Sequence, residues 1–261
     1  SISSSNNNSI YDDPSIDAVV VCTQHNSHSY LVKKALDADK HIFVEKPLAL
    51  KLSDLDEIEK KLDSSNKILT VGFNRRFSPH IIKIKSLIEN MKSPKALTIN
   101  INAGKIDKDH WLNDNEIGGG RLIGEAIHHI DLVRHIIDRK IIGWNKIILG
   151  SGKDTFSIQF TFSDGSIGVI NYFSNGSKSM QKERIELFVE NKILVLNNFI
   201  SLIGYGWKNF KYMRTWRQDK GQKELVKRFL RAISKKQQPP IPYDEIIEVN
   251  RLSINISKKA Q

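Results

Sequence analysis

The chain has 261 residues, 39% of them hydrophobic and 26% charged, with 15 Gly and 7 Pro, a balance that excludes collagen-like, low-complexity and disulfide-scaffold proteins and suits one large domain or two modest ones. Forty Lys+Arg against 29 Asp+Glu give a formal charge of +11, which leaves two readings open, an anionic partner or a lysine-rich solvated surface. No apolar run reaches the ~20 residues of a membrane helix, residues 1–9 lack the basic and apolar regions of a signal peptide, and a lone Cys22 in an apolar strand pattern points to a reducing, cytoplasmic setting.

The first half alternates strand and helix. Residues 17–22 form a short apolar run of the kind buried on both faces of a parallel sheet, and residues 27–38 carry helical spacing through Tyr30, Leu31, Ala35 and Leu36. Residues 41–45 make a second strand stopped by Pro47, which has no N–H for the ladder. Ser53 is expected to cap a helix whose apolar face is Leu55, Ile58 and Leu62. Residues 68–73 are a third strand, and Ser78-Pro79 open a helix reaching about Met91. Strand–helix alternation of this kind builds a parallel sheet with right-handed crossovers. The second half differs. A strand at 96–103 and one long helix at 120–137 precede alternating segments at 145–149, 155–162, 167–172, 184–189 and 193–196, with hairpin spacers at Ser163-Asp164-Gly165 and Asn191-Lys192. Two helices, 221–233 and 243–256, flank the breaker Pro239-Pro240-Ile241-Pro242. The expected fold is α/β followed by α+β: a partial Rossmann-like parallel sheet over residues 1–93, then a mainly antiparallel open sheet with helices on one face over residues 94–261.

A nucleotide-binding parallel sheet normally opens on a Gly-rich turn that holds the pyrophosphate. No G-x-G-x-x-G is present, and at ~30 residues per βαβ unit about 60 to 80 residues would be missing. The expectation is therefore a fragment of a longer protein, or a domain without its phosphate-binding half. Three clusters carry chemistry. Thr23-Gln24-His25-Asn26-Ser27-His28 follows the first strand, where ligands of open α/β sheets bind; it also reads as an ordinary loop capped by Ser27. Glu45-Lys46-Pro47 follows the second strand and reads either as a surface ion pair or as a ribose acceptor beside an ammonium that polarises a hydroxyl. In the stretch Gly118-Gly119-Gly120 to Asp131, the residues Glu125, His128 and Asp131 share a helical face. His128 there suits a general base, and Glu125, His128, Asp131 and His135 together could instead ligate a metal, though no matching motif on a second helix supports one. The cation run from Lys208 to Lys236 has no nucleic-acid motif beside it.

In this order and spacing, with Gly72-Phe73-Asn74-Arg75-Arg76-Phe77 between them, the clusters resemble the glucose–fructose oxidoreductase/inositol dehydrogenase (Gfo/Idh/MocA) family over nearly the whole chain. The patterns Thr-x-His-Asn-Ser-His and Gly-Gly-Gly-Arg-Leu-Ile-Gly-Glu look most like the branch fused to zinc-type alcohol dehydrogenase modules. The resemblance implies a dehydrogenase dependent on NAD or NADP, acting on a sugar, nucleotide sugar or polyol. In it Thr23, His25, His28, Glu45 and Lys46 would hold the nicotinamide–ribose end, Lys46 and His128 would assist proton transfer, and Asn74, Arg75, Arg76, Trp111 and Glu125 would line the substrate side. No metal is implied. A homo-oligomer formed through the second sheet is implied, and neither nucleic acid nor membrane is an expected partner. The family's usual Asp four residues before the His is here Gly124, with Glu125 next to it. The alternative is a catalytically impaired fragment that binds sugar or assembles through its sheet.

Overall fold

A computed structural model describes residues 8–107, 109–150 and 154–258; the polar start read above lies outside them up to residue 7. Two compact units form. The first comprises residues 8–73, 111–127 and 225–258, and the second 74–110 and 128–224, within those described limits.

In the first unit a short helix α1 (Asn8–Asp12) leads into strand β1 (Ala18–Val21), helix α2 (His25–Asp37), strand β2 (His41–Val44), helix α3 (Leu52–Asp63) and strand β3 (Leu69–Val71). The strands lie in the order β1-β2-β3, all parallel, with Val19 opposite Ile42 and Phe43 opposite Thr70. Central β2 is buried at Ile42, Phe43 and Val44, as a strand covered on both faces requires. Ser27 and Ser53 do not cap their helices: the caps are Gln24 and Lys51, both in extended backbone. Ser27 lies inside the first turn of α2, where its hydroxyl donates to Gln24 O at 2.8 Å, and α3 begins two residues earlier than expected. Helix α7 (Tyr243–Lys258) buries Ile246, Val249, Ile254 and Ile256, the spacing of an amphipathic face. Its Asn250 accepts the Leu48 N–H at 3.0 Å, and Arg251 pairs with Asp56 and Glu59 of α3, both at 2.7 Å. The loop after β2 is thereby tied to a helix two hundred residues later. Phe229, on the part of helix α6 (Gln222–Ser234) within this unit, meets Phe43 edge-on at 5.7 Å.

The second unit is built on an eight-stranded sheet. Its strands are β4 (Ala96–Asn102), β5 (Ile141–Ile148), β6 (Phe156–Phe162), β7 (Ile167–Phe173), β8 (Glu183–Val189), β9 (Lys192–Asn197), β10 (Ser201–Tyr205) and β11 (Tyr212–Arg214), in the order β11-β10-β9-β8-β4-β7-β6-β5. The sheet is mainly antiparallel as expected, with one correction: β4 runs parallel to β7, so the sheet is mixed. Inward residues alternate at period two, as Leu97, Ile99 and Ile101 on β4 and Ile185 and Leu187 on β8 show. Helices α4 (Pro79–Ile88) and α5 (Ile127–Ile137) belong to this unit, apart from the first residue of α5. Helix α5 comes so close to β7 that a Cβ on Gly168 would lie 2.6 Å from Val133 Cγ1. On the other face an amide ladder crosses three strands: Ser157 Oγ donates to Asn171 Oδ1 at 2.7 Å, and Asn171 Nδ2 to Asn100 Oδ1 at 2.8 Å.

The expected uninterrupted helix over 120–137 is broken in character. Residues Leu122–Ala126 form a π-helical turn before α5 starts. Such a turn inserts a residue, which moves Glu125 out of the simple 100° phase with His128 and Asp131 assumed from the sequence.

Candidate functional site

Within the first unit, the loops at the carboxyl ends of β1 and β2 come together. Glu45 and Lys46 directly follow β2, and the Lys46–Pro47 peptide is cis. The Lys46 ammonium donates to the Gly124 carbonyl oxygen. A Cβ on Gly72, beyond β3, would lie 2.6 Å from Glu45 Oε2, so the absence of a side chain there lets the carboxylate lie against the strand end. Buried His28 faces two carbonyl oxygens, with Nδ1 2.7 Å from Pro47 O and Nε2 3.0 Å from Thr23 O. One imidazole thus spans both loops; a neutral ring serves one of these acceptors and an imidazolium both. Thr23 keeps its hydroxyl 2.6 Å from Ser27 Oγ. Cys22, expected within the strand, lies exposed one residue past it, its thiol pushed up by partial burial and by Glu45.

His25 opens α2 and donates from Nδ1 to Gly118 O at 2.8 Å. Burial, with smaller contributions from Lys46 and His28, lowers its pKa to about 4 against the opposing pull of the Gly118 carbonyl. It is therefore neutral at physiological pH, with Nδ1 protonated and Nε2 an acceptor. The Trp111 indole meets the His25 ring edge-on at 4.7 Å. A Cβ on Gly118 would collide with Leu112 backbone, and one on Gly124 with the Leu112 side chain and, at 3.3 Å, with His25 Cε1. The glycine where the resemblance implies Asp therefore has a physical cause: Leu112 and His25 fill the volume that a side chain would need. Glu125 lies 3.3 Å from the Arg121 guanidinium.

The second unit holds the remaining candidates. Asn74, Arg75, Arg76 and Phe77 form a buried 3₁₀ turn. Asn74 Nδ2 donates to Lys220 O at 2.7 Å. Arg76 grips Asp131, with Nε 2.9 and 2.8 Å from the two carboxylate oxygens and Nη2 2.6 Å from Oδ1. Arg75 Nε and Nη2 reach Glu183 Oε1 at 2.9 and 2.8 Å, His129 Nε2 donates to the same oxygen at 2.9 Å, and Lys220 pairs with Oε2. Burial alone would raise the Glu183 carboxyl, but His129, Arg75 and Lys220 outweigh it and hold the group well below the usual carboxylate range. Burial takes His129 down to about 4. His128 lies on α5, half-buried.

Sequence reasoning did not single out the Gly118 and Gly124 carbonyls, His129, Glu183 or Lys220. One signal was available. Glu183 is in phase with Ile185, Leu187 and Val189, all inward, and a carboxylate at an inward strand position demands cationic company.

Residues 3–73 match the Gfo/Idh/MocA family model, described as an oxidoreductase family with an NAD-binding Rossmann fold. The chain is 32% identical over 190 residues to myo-inositol 2-dehydrogenase of Thermotoga maritima, a match covering 69% of this chain and 56% of that protein. It is 27% identical over 262 residues to the uncharacterized oxidoreductase YrbE of Bacillus subtilis, covering 92% and 75%. The chain thus spans a little over half of the first relative and three quarters of the second. Levoglucosan dehydrogenase, solved with NADH and levoglucosan, shares the fold with a TM-score of 0.81 at 20% identity, over 97% of this chain and 81% of that one. The residues of the first unit fit the nicotinamide–ribose end of a dinucleotide: a carboxylate, lying against the strand end where Gly72 has no side chain, that can accept from ribose hydroxyls, and an ammonium on the next residue. No helix among the described residues is long and apolar enough to cross a membrane.

Proposed function

We propose, from the match of residues 3–73 to the Gfo/Idh/MocA family model, that the chain is an oxidoreductase of that family and oxidises a hydroxyl of a sugar, nucleotide sugar or polyol with NAD or NADP. The observation that carries this reading is the Lys46 ammonium. It sits at the carboxyl end of the central strand, held by the Gly124 carbonyl beside Glu45. The nicotinamide, when bound, supplies the hydride acceptor. Lys46 Nζ orients and polarises the reacting hydroxyl, and His128 takes its proton. Glu45, Thr23 and His25 hold the nicotinamide–ribose end, and buried His28 serves the same end by positioning the Thr23 and Pro47 loops; His25, neutral at its depressed pKa of about 4, does so without adding charge beside Lys46. Trp111, Glu125, Asn74, Arg75 and Arg76 form the substrate side. In this reading residues 1–93 serve the dinucleotide, and residues 94–261 serve the substrate and present the sheet on which a second copy packs, in the cytoplasm. The Thr23-to-His28 and Gly118-to-Glu125 patterns favour the branch fused to zinc-type alcohol dehydrogenase modules.

The test is nicotinamide fluorescence on titration with NADH, followed by absorbance of NADH formed from inositols, hexoses and uronates. We expect saturable binding, and Lys46→Ala and His128→Ala each to lose at least ~100-fold in turnover, the usual scale of general acid–base assistance, with unchanged circular dichroism. Wild-type turnover in both variants overturns the roles. Silence toward NADH with sugar binding retained favours the binding-module reading instead.

A further inference from the structure

We propose that a groove on the second unit, between the end of α4 and the end of α5, binds a small organic monoanion whose carboxylate pairs with Lys95. The groove has a volume of about 410 Å³, within the range of small-molecule sites, and lies among residues that the oxidoreductase reading does not use. Its apolar floor comes from Ile88, Ile136 and Ile137, all buried.

The charges on its wall are unevenly matched. Lys85 pairs with Asp138 at 2.9 Å, and Arg139 lies 3.6 Å from Asp164. Lys95 is only 5% exposed, yet among the described residues no carboxylate lies within ion-pairing distance of its ammonium. Its nearest acceptors are the Met91 and Ser93 carbonyl oxygens at 3.4 and 3.5 Å, beyond the range of good hydrogen bonds. Burial holds the ammonium below the ordinary lysine value, with Arg139 and Lys85 adding to the effect and Asp164 and Asp138 opposing it. A buried charge without a close counter-charge is costly, and a ligand carboxylate would supply one.

The residue is also fixed in place before any ligand arrives. Its N–H donates to Ser166 Oγ at 2.8 Å, and its carbonyl accepts the Ile167 N–H at 2.9 Å. Lys85 and Arg139 of the lining have carboxylates of their own in Asp138 and Asp164, which leaves Lys95 as the one cation to be met, suits a single negative charge and disfavours a polyphosphate. The apolar floor suits a hydrocarbon or ring body on that carboxylate.

The probe is phenylacetate, with neutral phenylacetamide and inorganic phosphate as controls, followed by saturation-transfer NMR and by the shift in melting temperature. We expect phenylacetate to bind and phenylacetamide and phosphate to bind at least tenfold more weakly. Lys95→Met should lose tenfold or more in affinity, while Lys95→Arg stays within about threefold of wild type. Because the Met variant alters a buried position, Ser86→Trp on the exposed rim supplies a second test by filling the groove, and should abolish binding. The proposal is overturned if wild type ignores phenylacetate up to about 10 mM, if phenylacetamide binds equally, or if either Lys95→Met or Ser86→Trp binds as wild type does. None of these readouts depends on dehydrogenase activity.

Discussion

Replacing Glu183 by Gln keeps the shape of the side chain and removes one negative charge from a site that is 1% exposed. In the native protein this carboxylate is shared by Arg75, Lys220 and His129. The substitution would leave two cations facing an uncharged amide. Breaking a buried ion pair by removing one partner costs about 3–5 kcal/mol. The Lys220 side chain keeps 16% of its exposure and can turn toward water, so the low end applies, roughly 3 kcal/mol or about a hundredfold in the folding equilibrium. The assay is urea unfolding at pH 7 followed by circular dichroism, and adding Lys220→Met should recover part of the loss by removing one stranded cation. The acid profile gives a second, independent reading. His129 has an unfolded value near 6.5 and a folded one of about 4, so the unfolded chain binds the proton first and native stability drains away as pH falls from 6.5 toward 4, by roughly 3 kcal/mol in total. Glu183, depressed from 4.5, contributes stability that is complete above that value and is lost as pH drops below it. Glu183→Gln should therefore flatten the profile below pH 4.5. A variant that unfolds at the wild-type urea concentration, or that keeps the wild-type slope in acid, would refute the reading that the Glu183 carboxylate compensates the buried cations around it.

Two further substitutions probe the first unit. Gly124→Asp should not restore a family-like site, because its Cβ meets the Leu112 side chain; we expect a loss of about 1–3 kcal/mol in stability with no gain in turnover, and an unchanged melting temperature would count against the packing argument. His28→Leu removes the ring that spans Thr23 O and Pro47 O and leaves buried carbonyls unserved at a cost of about 1–3 kcal/mol; NADH affinity should fall at least tenfold by fluorescence titration, and an unaltered dissociation constant would remove His28 from the site.

The parts of the fold legible in the sequence are those decided by local periodicity. Ile42-Phe43-Val44 and the Leu55, Ile58, Leu62 spacing depend only on which side of an element meets apolar company, so the strands of the first unit, and its helices other than α1, emerge within a residue or two. The hairpin β10–β11 is not legible in the sequence because Gly204 and Gly206 and the cations Lys208, Lys211 and Arg214 interrupt alternation there. Its place in the sheet comes from ladder pairing with β9 and from Phe210, which occupies the space beside Gly204. The parallel pairing of β4 with β7 was equally hidden, since a strand carries the same inward–outward pattern whichever way its neighbour runs.

The candidate site divides along the same line. Glu45-Lys46-Pro47 announces itself because three unusual neighbours close one strand, whereas the oxygen that holds Lys46 belongs to a glycine carbonyl 78 residues away, and a carbonyl has no sequence signature. Arg75-Arg76 illustrates the converse. Two adjacent cations invite the reading of an anion-binding pair, yet each guanidinium is met by a buried carboxylate, Glu183 across 108 residues and Asp131 across 55. An anionic substrate would have to displace one of those carboxylates to reach either arginine, while a neutral polyol would not. Arg76 pairs with Asp131, and Glu183 is shared between Arg75 and Lys220. The surplus positive charge in that cluster therefore resides with Lys220, its most exposed member, which the sequence presents only as one cation in a long run.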